Sequence, residues 1–242
     1  TNDSVIRSEM IVDEGDPFSK LLVNRSINNL KGRNIFGNVE HKILPGSSDD
    51  LKVIEISVEE KATGEIMAGA GVGTDGTSFS FSVKENNWLG RGIKLKSDLN
   101  VTEKKISGNI SVDNPNYNYS GNSVVAALDV SSTDRSSTTG FSSSKTGLSF
   151  GTSFEQYENI FFSPRIDTAF EDIEVDSSAS AQIKKMEGNF FNTDFSYGIT
   201  VDKRNQVFKP TEGYRATFFQ TLPIIQDSSS ILNGLDFKSY RD

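Results

Sequence analysis

The sequence predicts two parts: an α+β unit over residues 1–60, then antiparallel β-strands over residues 61–242. Three observations carry that division. Helical periodicity occurs only near the start, in "DPFSKLLVNRSINNLKG". From residue 64 onward apolar and polar residues alternate, which places one set on each face of a strand. The segment "KENNWLGRGIKLKSDLNV" shows this most clearly, with Ile93, Leu95, Leu99 and Val101 set against Lys94, Lys96, Asp98 and Asn100. Such a series suits a membrane barrel with a wet interior, and also a soluble sandwich or barrel.

In the first part, Asp16 is placed as the helix N-cap, Pro17 at the first helical position and Gly32 as the stop. Phe18, Leu22, Val23, Ile27 and Leu30 fall within one half of the helical wheel and are assigned to a buried face. "NIFGNVEHKIL" and "LKVIEISVEE" read as two strands around a turn at residues 45–50. A helix-like start, a helix and two strands make less than a full domain, so a strand is expected ahead of residue 1, and the chain is expected to be a piece of a longer one.

In the second part, "TSFSFSV" sets Phe79, Phe81 and Val83 against Ser78, Ser80 and Ser82. "KISGNISVD" separates Ile106, Ile110 and Val112 from Lys105, Ser107, Asn109 and Ser111. The pattern recurs in "SVVAALDV", "TGLSFGTSF", "FNTDFSYGITVD", "YRATFFQTL" and "NGLDFKSYRD", and amounts to about ten strands. Compact connections alternate with the Ser/Asp-rich stretches 131–144 and 171–189, read as long loops on one rim. Tyr117, Tyr119, Tyr157 and Tyr214 fall at strand ends, as in an interfacial girdle.

Composition narrows the function. Hydrophobic residues make up 35% of 242 residues, and mean hydropathy is −0.40. No run approaches the roughly 18 apolar residues of a membrane-spanning helix, but a barrel strand needs only about 9–11. A formal charge of −8 argues against nucleic acid as a partner. There is no cysteine, hence no disulfide and no thiolate metal ligand. "GVGTDG" (Gly71, Gly73, Gly76) fits a dinucleotide fingerprint but runs into a strand where a helix is required. "GFSSSKT" (Gly140, Lys145, Thr146) has Ser144 in place of the second glycine of a phosphate loop. The single histidine, His41, falls in an amphipathic strand and is read as exposed. Neither a catalytic pair, a metal-ligand spacing nor a cofactor is found, and no enzyme is expected.

The segment "VEEKATGEIMAGAGVGTDGTSFSFSVKENNWLGRGIKL" resembles the join between the last POTRA domain and the first barrel strands of the BamA outer-membrane protein assembly factor family. "DNPNYNYSGNSVVAALDV" resembles that family's next turn, and "DKRNQVFKPTEGYRATF" its Phe-Pro-Thr-x-Gly-x-Arg turn, here with Lys209 before Pro210. "VIRSEMIVDEGDPFSKLLVNRSINNLKGRNIFGNVEHKILPG" looks like a POTRA domain lacking its first strand.

The resemblance implies a transmembrane β-barrel of which about ten of sixteen strands are present, preceded by a periplasmic POTRA domain over residues 1–60. It implies a bacterial outer membrane, unfolded outer-membrane β-barrel clients, lipoprotein subunits of an assembly complex, a lipid bilayer and no cofactor. Asn87, Trp88, Leu89, Gly90 and Gly92, then Asn114 and Pro115, then Phe208, Pro210, Thr211 and Gly213 would form periplasmic turns. Glu65, Ile66, Met67, Ala68, Gly69, Ala70, Gly71, Val72 and Gly73 would form the gate strand on which a client strand is added. The alternatives are a TamA-like or two-partner-secretion translocator, and a passive outer-membrane pore or receptor.

Overall fold

The computed structural model describes residues 1–48, 51–73, 76–226 and 230–241. Asp49 and Asp50 of the turn expected at 45–50, Thr74 and Asp75 of "GVGTDG", and Asp242 lie outside the described residues. The chain begins with α1 (Asp3–Arg7) and α2 (Lys20–Gly32), followed by the antiparallel hairpin of β1 (Phe36–Pro45) and β2 (Lys52–Glu60). Then come ten strands: β3 (Gly64–Gly73), β4 (Gly76–Trp88), β5 (Ile93–Thr102), β6 (Lys105–Tyr117), β7 (Asn122–Arg135), β8 (Phe141–Tyr157), β9 (Ile160–Val175), β10 (Gly188–Asp202), β11 (Glu212–Ile225) and β12 (Leu232–Arg241). They form one antiparallel sheet in sequence order, with β3 at one edge and β12 at the other. The sheet is a meander, every strand pairing with its sequence neighbour.

Among the described residues, every buried apolar side chain lies between Val5 and Val39. Val5 of α1 packs with Ile27 and Leu30 of α2 and with Ile35, Phe36 and Val39 at the entry to β1. The helix starts later than Asp16. Ser19 is the N-cap and its hydroxyl accepts from the Leu22 amide at 3.4 Å, while Asp16 accepts from the Asp13 amide in the preceding turn. Phe18 therefore lies outside the helix and is exposed, and Ser26 joins Val23, Ile27 and Leu30 on the buried face. Ser26 is tolerated there because its hydroxyl donates to the Leu22 carbonyl and accepts from the Ile11 amide, at 2.9 and 2.8 Å. His41 is half-buried opposite Ile56, not exposed.

The large sheet has no such core. Its register stacks apolar residues on one face: Phe81 lies between Ala68 and Leu99, Leu128 between Ile110 and Leu148, and Phe218 between Ile199 and Leu235. These rows stand open, with Phe79 at 59%, Phe150 at 57% and Leu235 at 74% exposure. The opposite face is hydrogen-bonded and charged. Ser82 donates to Asp98 and Asn109 to Asp129, each at 2.7 Å, and Ser149 and Arg165 both donate to Asp167 at 2.5 and 2.8 Å.

Some residues cross this division. On the apolar face, Tyr197 donates to Gln220 at 2.8 Å and Gln220 to Asn233 at 2.6 Å, a polar ladder that satisfies itself within the sheet. On the polar face, the Phe219 ring lies over Gly234, where any side chain would collide with it.

The Ser-rich stretches are less loop than strand. Residues 131–135 and 141–144 continue the β7–β8 ladder, through pairs such as Ser132 with Ser144, leaving 136–140 as the turn. Backbone pairing needs no apolar alternation, and alternation is the feature those residues lack. β9 likewise runs to Val175, and a short 3-10 helix (Ile183–Met186) sits in the following loop. The two rims differ less in loop length than expected. The rim with the long 176–187 connection also carries the two-residue turn 103–104, and the opposite rim includes the nine residues 203–211.

Candidate functional site

Two features of the fold stand out: the free edge of β3, and the rim on which the N-terminal unit rests. β3 pairs with β4 along its whole length, from Gly64 with Glu85 to Gly73 with Gly76. Its other edge has no partner among the described residues, and its side chains are exposed throughout, Ile66 at 72% and Val72 at 87%. The register puts Ala68 and Ala70 across from Phe81 and Phe79, and Met67, Gly69 and Gly71 across from Ser82, Ser80 and Ser78. A Cβ on Gly69 would lie 2.8 Å from the Ser80 Oγ, and one on Gly71 3.2 Å from that of Ser78. The glycines let the β4 hydroxyls lean over β3. Chemically, β3 offers an edge of backbone donors and acceptors with little side-chain bulk on its polar face.

The rim below this edge is built from turns with left-handed residues. Trp88 ends β4; Leu89, Gly90 and Gly92 have φ of 55°, 70° and 66°. The Asn87 side chain closes this turn by accepting from the Gly92 amide at 2.8 Å and donating to Thr1 Oγ1 at 2.8 Å. Asn114 and Pro115 lie in the last stretch of β6, at an irregularity in its pairing with β7; the turn itself is made by Asn118 and Tyr119, both with positive φ, and Gly121. Asn114 still shapes it, accepting from the Asn116 amide at 3.2 Å.

In the 203–211 connection, Asn205 accepts from the Thr211 amide at 3.2 Å and Gln206 donates to the Lys209 carbonyl at 2.7 Å, holding Phe208 and Pro210 in a tight excursion. The Lys209 ammonium sits 5.5 Å from the Phe208 ring centre. Gly213, at φ 95°, passes so near the Lys203 carbonyl that a side chain there would strike it. These three turns bring Asn87–Gly92, Asn114–Pro115 and Phe208–Gly213 to one rim.

The N-terminal unit docks on that rim. The Asn2 amide donates to the Gly90 carbonyl at 2.8 Å. Arg33 donates to the Gly92 carbonyl at 2.9 Å, Ser4 meets the Tyr119 hydroxyl at 2.7 Å, and Asn28 donates to Gln206 at 3.3 Å. Between α2 and the rim is a cleft of about 230 Å³ lined by Arg25, Asn29, Glu158, Phe161 and Arg204. Sequence reasoning missed Arg33, Glu9 and Asn116, since nothing in their spacing marks a contact between distant segments, and it read Tyr119 as part of an interfacial girdle, whereas its hydroxyl meets Ser4. Among the described residues, no group of three or more His, Asp or Glu side chains is placed to hold a metal ion.

Residues 63–238 match the Omp85 superfamily domain. That match spans most of the chain and coincides with the ten-stranded sheet. The chain belongs to the Omp85 superfamily. Among relatives in this superfamily, it is 26% identical to the outer membrane protein assembly factor BamA of Nitratidesulfovibrio vulgaris, over 99% of this chain and 31% of that protein. It is 37% identical to a putative outer membrane protein assembly factor of Treponema pallidum, over 39% of this chain and 12% of that one. The fold is similar to that of BamA from Haemophilus ducreyi lacking POTRA domains 1–3, with a TM-score of 0.67, 21% identity and coverage of 99% of this chain and 49% of that one. CdiB from Acinetobacter baumannii is similar at a TM-score of 0.58 and 9% identity, over 98% of this chain and 46% of that one. The chain thus spans about a third of the BamA relative that it matches almost end to end.

Within an Omp85 domain the open apolar rows have a physical explanation. A sheet that is apolar on one face and polar on the other is what a barrel wall between lipid and a wet lumen requires.

Proposed function

We propose that this chain is the gate-side part of an outer-membrane protein assembly factor, which folds β-barrel clients into the outer membrane by adding their strands to β3. One observation carries the reading: of the two free edges of the sheet, β3 is the one beside which the N-terminal unit docks, on the turns of the hairpins immediately behind it. Residues 1–60 are then the last POTRA domain, in the periplasm, and receive unfolded clients. β3 is the template strand. Its unpaired N–H and C=O groups accept a strand whatever side chains that strand carries, which allows many different clients. Similarity to relatives named as outer membrane protein assembly factors supports the same role; a lipid bilayer and periplasmic lipoprotein subunits are the partners this reading entails.

A second reading, an Omp85-type translocator such as a TamA-like or two-partner-secretion protein, is favoured by the fold similarity to CdiB. Crosslinking separates the two. In the complete protein, cysteines placed singly at Ala68, Ala70 and Val72 are expected to crosslink to the terminal strand of a stalled client barrel. Crosslinks only to an extended passenger in the lumen, from Ser80 or Asn109 and never from β3, would favour the translocator and overturn the gate.

A further inference from the structure

The junction between the N-terminal unit and the barrel wall contains a charged pair that is largely withdrawn from water. Arg33, just past α2, lies 3.5 Å from the Glu9 carboxylate, and their side chains are only 12% and 15% exposed. Each reaches a different turn. Arg33 donates to the Gly92 carbonyl at the β4–β5 turn, and Glu9 faces the Asn116 side chain at the β6–β7 end. Gly92 is required for the approach: with φ at 66°, a side chain there would collide with the Arg33 guanidinium and lie 3.2 Å from Val5. One pair therefore holds the β4–β5 turn through Arg33 and faces the β6–β7 end through Glu9, both near the β3 edge.

We propose that Glu9 and Arg33 form a proton-operated latch that sets how firmly the N-terminal unit is docked beneath β4–β7. The charged group acting on Glu9 is Arg33; the β6–β7 end presents the uncharged Asn116, and the β4–β5 turn contributes the Gly92 carbonyl through Arg33. Arg7, on the same helical segment, is engaged by Asp3 and Glu14 instead. Burial raises the Glu9 carboxyl above the usual carboxylate range, against the smaller opposing pulls of Arg33 and Asn116. Undocked, the same carboxyl loses the burial supplied by the rim and moves back down toward its ordinary range. The docked state therefore holds its proton more tightly, and docking takes one up.

Docking is thus strongest below the ordinary glutamate value and weakens as pH rises through the raised one. A single linked proton changes the docked-to-undocked ratio by at most about tenfold per pH unit. Arg33 retains the Gly92 carbonyl whether Glu9 is charged or neutral, so the latch loosens without disassembling. The device is independent of what the barrel inserts or exports.

The test uses the complete protein in lipid nanodiscs, with spin labels on cysteines at Leu21, on the exposed side of α2, and Ser137, on the far rim. The fraction at the docked distance is expected to rise several-fold from pH 8 to pH 5. Glu9→Gln, which removes the titration and keeps a hydrogen-bonding side chain, is expected to stay docked across that range with unchanged strand content by circular dichroism. A docked fraction that is constant or falls on acidification in the unsubstituted protein, or an unaltered pH profile in Glu9→Gln, overturns the latch.

Discussion

Phe81 and Ser80 are adjacent in β4 and belong to opposite faces: Phe81 sits between Ala68 and Leu99, and Ser80 between Gly69 and Asn100. In the complete protein in liposomes, Phe81→Arg should cost about 2–4 kcal/mol of unfolding free energy, because it places a charge near the middle of the lipid-facing band. Ser80→Arg should cost far less, since it points into the lumen; equal losses would mean the faces are assigned wrongly. This alternation is legible in the sequence because every second residue is serine. The contacts of Arg33 and Glu9 were not legible. An arginine after a helix reads as an ordinary C-terminal cation, and only the chain reversal through β4 and β5 brings Gly92 beneath it.

At the scale of elements, the helix boundary shows how local rules compete. Asp16 followed by Pro17 satisfies the usual start pattern, yet the helix begins at Ser19, whose hydroxyl caps the first turn, while Asp16 closes the preceding one. Ser19→Ala is accordingly expected to cost about 1 kcal/mol by denaturant unfolding of the N-terminal unit in the complete protein, and Asp16→Ala distinctly less. Strand existence was readable from alternation, but strand length was not: the polar ends of β7 and β8 pair through the backbone alone. β3 combines an unpaired edge, which β12 shares, with Gly69 and Gly71 in its interior. Each glycine costs roughly 0.5–1 kcal/mol relative to alanine in a strand interior. Hydrogen exchange followed by mass spectrometry should find the amides of Glu65–Val72 exchanging well before those of β6 and β7. Protection in β3 equal to that of the central strands would contradict a seam that opens.

For the whole molecule, buried and exposed surface are divided unequally. A small core between α1, α2 and β1 is sealed, while the ten-stranded sheet leaves its apolar rows uncovered. Covering one phenylalanine with an apolar medium is worth about 1.5–3 kcal/mol, so the rows from Phe79 to Phe237 call for lipid. In water without detergent, residues 1–242 alone are expected to associate through these rows and the free sheet edges; a monodisperse monomer that unfolds cooperatively would count against a membrane wall. The most direct measurement is a nitroxide scan along β4, β5 and β6 of the complete protein in lipid vesicles, reading collision with dissolved oxygen, enriched in lipid, against a water-soluble nickel chelate. Labels at Phe79, Phe81, Leu99 and Ile110 should collide preferentially with oxygen, and labels at Ser80, Ser82, Asp98 and Asn109 with the chelate. A two-residue period of that phase is the predicted result; no period, or the opposite phase, would contradict the account.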